Sequence, residues 1–252
     1  MAVYKEAMQN PEREWFGEKK VSAREKTAKV IGVFDSVADK YDLMNDLMSG
    51  GRHRLWKDRF VRMIRPRPDM KCLDVAGGTG DIAFRLRRKG AAVTVFDLNE
   101  EMLRVGRDRA IDKGWLDLDW VPGNAEKLPF DDNSFDLYTI AFGLRNVTHI
   151  DTALAEAARV LKPGGRFFCL EFSRVEEPFL AKLYDAWSFR VIPRIGQAVA
   201  KDRESYQYLV ESIRKFPPQK ELARRMGAAG LAQSRFTNLD FGVVSIHQGI
   251  KL

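Results

Sequence analysis

The chain predicts a doubly wound α/β fold, a mostly parallel sheet with helices on both faces, with helical additions at its N-terminus and late in the sequence. Three observations carry this. Short apolar runs recur at 72–76, 93–96, 118–121, 137–141 and 166–171. Helical patterns at 81–89, 100–113 and 152–161 lie between them. A glycine cluster, Gly77, Gly78 and Gly80, joins the first run directly to the first of these helices. Strands that alternate with helices leave each crossover to pack on one face of a parallel sheet.

The elements follow in order. Residues 1–28 are polar and charged apart from Trp15 and Phe16, and they read as a weakly ordered or helical arm before a single domain over 29–252. Val33, Val37, Tyr41, Leu43, Leu47, Leu55, Phe60 and Ile64 recur at helical spacing. Gly50-Gly51 interrupts that pattern, and Pro66 and Pro68 end it, because proline has no N–H to donate and clashes with the preceding turn. N-terminal helices are therefore expected over 29–65 and the sheet core over 71–175. Asn99 and Asp151 are positioned to cap helices, and Lys-Pro-Gly-Gly at 162–165 is a stop before the fifth strand. After Glu171 the alternation ceases. Aromatic-rich helices at 179–193 and 204–214 would form a lid over 176–215. A helix at 219–229 and strands at 233–237 and 243–247 would close the chain over 216–252.

Composition narrows the function classes. With 252 residues, 45% hydrophobic and 31% charged, the chain is neither disordered nor fibrous. No apolar run reaches the roughly 18 residues of a membrane span, and the Glu-rich start lacks the apolar segment of a secretory signal. Two cysteines, Cys72 and Cys169, and three scattered histidines exclude a disulfide framework and a metal site. The expected compartment is a reducing cytoplasm. The net charge of +7 concentrates in Arg52, His53, Arg54, Lys57, Arg59, Arg62, Arg65 and Arg67, relieved only by Asp58. No nucleic-acid motif accompanies it, so nucleic acid is not an expected partner; the stretch reads as a solvated face, with attraction to an anionic membrane surface as the competing reading.

The segment 71–81, KCLDVAGGTGD, is the most informative. A buried strand runs into glycines that let backbone N–H groups approach a ligand with no Cβ in the way. About 17 residues beyond Gly80, the strand VTVFD ends in Asp97, placed to accept two hydrogen bonds from a ribose diol. Asn124 and the N–H of Ala125 follow the next strand, where they can read an adenine edge. All these groups fall at strand carboxyl ends, where open α/β sheets bind ligands. A dinucleotide is the competing ligand; its G-x-G-x-x-G pattern would place a third glycine where this chain has Ala83, a small residue that is tolerated there, so that mismatch alone does not decide.

The resemblance extends further. FDSVADKYDLMND at 34–46, RLWK at 54–57, AGGTGD at 76–81, NAE at 124–126, FGLRNVT at 142–148, VLKPGGR at 160–166 and LEFS at 170–173 resemble the ubiquinone/menaquinone biosynthesis C-methyltransferase family. YDAWSF at 184–189, PRIG at 193–196, Ser205-Tyr206, ESIR at 211–214 and GVV at 242–244 continue the likeness. The family implies a Rossmann-like class I methyltransferase with an antiparallel closing strand. It also implies methyl transfer from S-adenosyl-L-methionine to a ring carbon of a reduced polyprenyl quinone, either 2-polyprenyl-6-methoxy-1,4-benzoquinol or demethylmenaquinol. Its cofactor contacts fall on Gly77, Thr79, Asp97, Asn124 and Ala125. A further position, often serine, is Ala141 here, so a hydroxyl contact is missing.

In this family setting the chemistry needs a stabilised phenolate, since a quinol carbon attacks best when the adjacent hydroxyl has lost its proton. Arg145 is expected to stabilise that oxyanion, with Asn146 positioning it and a water taking the proton. Arg145 could instead pair with a carboxylate such as Asp42. Tyr41 and Tyr206 are weaker candidates for the ring oxygens, while His149 and His53 read as ordinary polar residues. Phe34, Met44, Met48, Phe142, Phe172, Trp187 and Phe189 are suitable linings for an apolar tail channel, though each taken singly reads more readily as plain core. Expected partners are the polyprenyl quinol, the inner membrane face, quinone-synthesis enzymes and a second copy in a homodimer. Competing readings are a methyltransferase of the same fold acting on another small molecule or lipid, and a non-catalytic scaffold of a quinone-synthesis complex.

Overall fold

The parallel strands form where the apolar runs predict, and the computed structural model describes residues 13–16, 19–37, 45–46, 49–177 and 203–252. Strand β3 (Lys71–Val75) is buried along all but its first residue, as a central parallel strand covered on both faces must be. It pairs in parallel with β4 (Ala92–Asp97) and β6 (Phe135–Ala141). Outside these lie β5 (Leu118–Pro122) and β7 (Leu161–Phe172). Strand β9 (Val244–Lys251) pairs antiparallel with β7, and β8 (Leu231–Leu239) pairs antiparallel with β9. The resulting order is β5-β4-β3-β6-β7-β9-β8. The order of winding reverses between β3 and β6, so the connections leaving their carboxyl ends part and open a crevice.

Helices cover both faces. Helix α2 (Arg52–Ile64), α3 (Asp81–Arg87) and α4 (Glu100–Asp112) pack Phe60, Ile64, Leu86 and Leu103 against one face. Helix α5 (Ile150–Val160) and α7 (Gln219–Ala228) pack Leu154, Ala157, Leu222 and Met226 against the other. Burial of a side chain such as Phe60 contributes about 1.5–3 kcal/mol. Helix α6 (Arg203–Lys215) precedes α7.

The arm departs from expectation. Residues 13–22 form a hairpin of β1 (Arg13–Phe16) and β2 (Lys19–Ser22), followed by α1 (Ala23–Val37). Ser22 and Glu25 build a reciprocal cap at the start of α1, the Ser22 hydroxyl accepting from the Glu25 N–H and the Glu25 carboxylate from the Ser22 N–H at 2.9 Å. The Asn99 cap forms as read, its Oδ1 accepting from the Met102 N–H at 2.8 Å. Helix α5 instead begins at Ile150, with His149 rather than Asp151 at the capping position. The 162–165 stop lies within β7 as an interruption: pairing with β6 jumps from Phe135–Leu161 to Leu137–Arg166. The expected helix at 179–193 lies outside the described residues.

Candidate functional site

The glycine loop starts the site. A Cβ on Gly77 would stand 2.6 Å from Val95 Cγ1 and 2.9 Å from the Asp74 carbonyl, so only glycine fits between β3 and β4 there. Gly80 adopts φ +83, and a Cβ on it would meet Trp120 at 2.7 Å. At the two parting strand ends, Ala76 and Phe142 both take left-handed backbone, and a Cβ on Gly143 would collide with that of Ala76. The neighbouring strand ends thus turn sharply away from each other.

A crevice lies beyond these turns. Gly78, Asp97, Asn99, Met102, Asn124, Ala125, Phe142 and Asn146 line it. The Asp97 carboxylate is aimed by two backbone donors: Gly78 N–H at 2.8 Å to one oxygen and Asn99 N–H at 2.8 Å to the other. The low-polarity surroundings push the Asp97 pKa up, and these N–H bonds oppose the rise. Asn124 Oδ1 accepts from the Glu126 N–H at 2.9 Å, which fixes its amide at the crevice rim. Helix α1 forms the roof through Thr27, Val30, Ile31 and Phe34. Asn99 Nδ2 donates to the Ile31 carbonyl at 3.4 Å, and Lys26 Nζ donates to the Val147 carbonyl at 3.1 Å.

The expected contacts are not all in one place. Asp97, Asn124, Ala125 and Asn146 converge on the crevice. Gly77 lies behind it in close contact with β3 and β4. Thr79 is buried and lines a separate groove with His53, Arg54, Asp81 and Arg85.

Arg145 sits on a single helical turn, Leu144–Asn146, directly after the crevice edge. Its Nη1 donates to Glu171 Oε1 at 2.8 Å and also to the Phe142 carbonyl, and its backbone N–H donates to Glu171 Oε2 at 3.2 Å. Phe172 N–H gives Glu171 a further bond at 2.9 Å. Glu171 is fully buried; desolvation raises its pKa, and the Arg145 charge pulls it back. The carboxylate partner of Arg145 is therefore Glu171; Asp42 lies outside the described residues. Arg145 Nε has no hydrogen-bond partner. Asn146 Oδ1 accepts from the Tyr208 hydroxyl at 3.1 Å. Burial lifts the Tyr208 pKa to about 12, so this phenol remains a donor at neutral pH.

Asn146 lines the first crevice and Arg145 a second cavity, with Val147 and Thr148 lining both. Phe142 and Phe172 pack with ring centres 4.9 Å apart, and the Arg145 guanidinium lies 5.6 Å from the Phe172 ring. Trp56 joins them, 6.0 Å from Phe172. Phe34 lines the crevice roof. Met44, Met48, Trp187, Phe189 and Tyr41 lie outside the described residues, as does the side chain of Tyr206. His149 Nδ1 meets Glu126 Oε2 at 2.6 Å, and His53 Nε2 meets Asp46 at 2.8 Å, both as ordinary paired residues.

Two contributors escape a reading of the sequence, Glu171 and Tyr208; the roof helix falls within the expected helical pattern over 29–65 and starts earlier, at Ala23. Glu171 had a signal, an acid inside the buried run RFFCLEF, where an unpaired charge would be costly. Tyr208 had only its helical spacing.

The ubiE/COQ5 methyltransferase family model matches residues 21–251. The ubiquinone/menaquinone biosynthesis C-methyltransferase of Brucella canis is 58% identical, over 94% of this chain and 90% of that protein. The mouse mitochondrial 2-methoxy-6-polyprenyl-1,4-benzoquinol methylase is 51% identical, over 94% of this chain and 84% of its own. Among solved structures, an S-adenosylmethionine-dependent methyltransferase from Aquifex aeolicus aligns with a TM-score of 0.58 at 17% identity, covering 86% of this chain and 98% of that one. Phosphoethanolamine N-methyltransferase 2 of Haemonchus contortus, solved with S-adenosylmethionine, gives a TM-score of 0.58 at 14% identity, covering 77% and 52%. The structural likeness gives the fold of these methyltransferases, and the sequence likeness gives the kinship: the chain is a methyltransferase and belongs to the ubiE/COQ5 methyltransferase family.

Proposed function

We propose that the chain methylates a ring carbon of a reduced polyprenyl quinone, 2-polyprenyl-6-methoxy-1,4-benzoquinol or demethylmenaquinol, with S-adenosylmethionine as donor. The residues of the crevice suit that donor. Gly78, at φ +52, leaves open the space beside Asp97 and Met102 that a Cβ would narrow. Asp97 offers a pre-aimed acceptor for the ribose hydroxyls, and Asn124 with Ala125 flanks the adenine position. When bound, the donor supplies an electrophilic methyl on a sulfonium.

The observation that carries the substrate reading is the Arg145–Glu171 pair beside the crevice. A guanidinium held by a buried carboxylate cannot swing away, so its charge stays fixed behind the turn that carries Asn146 to the crevice. Fixed charge in a water-poor site stabilises a developing phenolate without reorganisation during the reaction. Asn146, oriented by Tyr208, holds the quinol oxygen toward Arg145, and the proton leaves to a water. The aromatic wall of Phe142 and Phe172, packed against Trp56, excludes bulk solvent.

Both cysteines are free and buried, and among the described residues no helix is long and apolar enough to cross a membrane. We place the chain in the cytoplasm, working against the inner face of the membrane where such quinols reside. A methyl-transfer assay with labelled donor and each quinol, kept reduced, tests the reading. Label is expected in the ring-methylated product. Transfer to neither quinol by a protein that binds the donor would overturn it.

A further inference from the structure

We propose that the edge formed by helix α2 and the β8–β9 turn docks onto an anionic phospholipid bilayer, Leu55 and Phe241 entering the interface between arginines. Its purpose rests on the quinol reading above; its geometry does not. Helix α2 buries His53, Trp56, Lys57, Phe60, Val61 and Ile64. Its opposite face repeats every three or four residues as Arg52, Leu55, Arg59 and Arg62, all exposed. Leu55 is 62% exposed in the middle of that stripe. A leucine between arginines gains nothing from water.

The second apolar side chain comes from far along the sequence. Phe241, in the turn between β8 and β9, is 76% exposed. It is brought beside α2 by Asp240, which accepts from Arg52 Nε at 2.7 Å and from Trp56 Nε1 at 2.6 Å. Asp240, Phe241 and Gly242 all adopt left-handed backbone, an unusual run that turns the ring outward. The turn is held from beneath, because the Gly242 Cα packs where a Cβ would lie 2.7 Å from the Arg174 carbonyl. The protrusion is thus built in.

Charge complementarity selects the occupant. Residues 52–67 hold seven Lys or Arg against one Asp. Arg52 pairs with Asp240, Arg54 with Asp46 and Arg67 with Asp69, while Arg59, Arg62 and Arg65 add exposed positive charge. Isolated apolar side chains set among arginines suit headgroups and shallow acyl chains better than the contiguous apolar patch of a protein partner. The edge also leads inward: Trp56 bonds Asp240 on its outer side and packs 6.4 Å from Phe142 and 6.0 Å from Phe172 on its inner side.

Vesicle sedimentation of the full chain tests this with no quinol present. Binding should be at least about tenfold stronger to phosphatidylcholine vesicles containing about 30% phosphatidylglycerol than to phosphatidylcholine alone, and should fall sharply near 0.5 M salt. Leu55→Ser with Phe241→Asn, an exchange that the left-handed backbone accepts, should lower that binding about tenfold. Turnover of a tail-less, water-soluble quinol should stay unchanged. A Leu55→Trp variant should show fluorescence quenched by brominated lipid. Parental binding by the double variant, equal binding to neutral vesicles, or no quenching in the Leu55→Trp variant relative to the parent would each overturn the docking. A protein that binds vesicles but methylates no quinol would overturn the substrate reading alone.

Discussion

Arg145 and Glu171 lie 26 positions apart on separate elements, yet they form a buried pair with Nη1 2.8 Å from Oε1. Glu171 also accepts from two backbone N–H groups, so its charge is matched on every side. Removing one charge from such a pair leaves the other uncompensated in a low-dielectric interior, at a cost of about 3–5 kcal/mol. Glu171→Gln should therefore lower stability by a few kcal/mol in denaturant titrations and reduce turnover, with donor affinity intact. Arg145→Lys should keep the charge but lose the planar fork, cutting turnover by roughly a hundredfold. Turnover within threefold of the parent, with normal folding, would take Arg145 out of the chemistry.

Asp97 supports a separate expectation. Its two oxygens are aimed by the N–H groups of Gly78 and Asn99, leaving the remaining lone pairs toward the crevice. Asp97→Asn retains the shape and one acceptor oxygen, but it places an amide NH2 against a backbone N–H and loses the charge-assisted bonds. Calorimetry should show S-adenosylmethionine binding weakened at least about tenfold, or about 1.4 kcal/mol. Unchanged affinity would mean that the ribose is held elsewhere.

How much of this is legible in the sequence depends on sequence distance. The alternation of strands and helices, the glycine loop and Asp97 depend on neighbours a few residues away, and pattern alone locates them. The hairpin at 13–22 is not legible, because its short strands carry charge on half their positions and lack the Asn-Gly type of turn that marks a hairpin. The 162–165 stop is a true break, but the chain resumes the same ladder beyond it, which only pairing with Phe135 and Leu137 reveals. The region around Arg145 and Asn146 is where pattern fails most. Glu171 meets Arg145, and Tyr208 meets Asn146, only after β6, β7 and α6 have packed, and no local period records a contact made by tertiary structure.

Gly80 carries a stability prediction. Its φ of +83 and the 2.7 Å approach of Trp120 combine backbone strain with a steric clash. Gly80→Ala should destabilise the fold by about 1–3 kcal/mol. Trp120 also packs tightly against Gly106, so the ring has little room to move aside. Trp120→Phe should recover part of the loss, and a thermal-unfolding double-mutant cycle measures it. Additive effects would show that the backbone alone is responsible.

His247 gives the fold a pH signature. The ring is buried on β9, where Nε2 donates to the Gln219 carbonyl at 3.1 Å and Nδ1 accepts from the Ser245 hydroxyl at 3.2 Å. Burial lowers its pKa from 6.5 to about 4. Between these values the unfolded chain binds a proton that the folded chain refuses, so stability is full above about pH 6.5 and falls as the pH drops toward 4. The shift corresponds to roughly 3 kcal/mol. Asp74, whose burial raises its pKa to about 7, acts in the opposite sense: its folded form holds the proton more tightly, so its contribution weakens as pH rises from about 4 to 7. His247→Gln, which replaces the titrating ring with a neutral amide, should therefore remove the loss of stability that the parent suffers as the pH falls below about 6.5. In urea titrations from pH 4 to 7 the variant's stability should rise less with pH than the parent's, by the removed histidine contribution. Parallel curves for the two proteins would show that His247 does not set the acid limit of this fold.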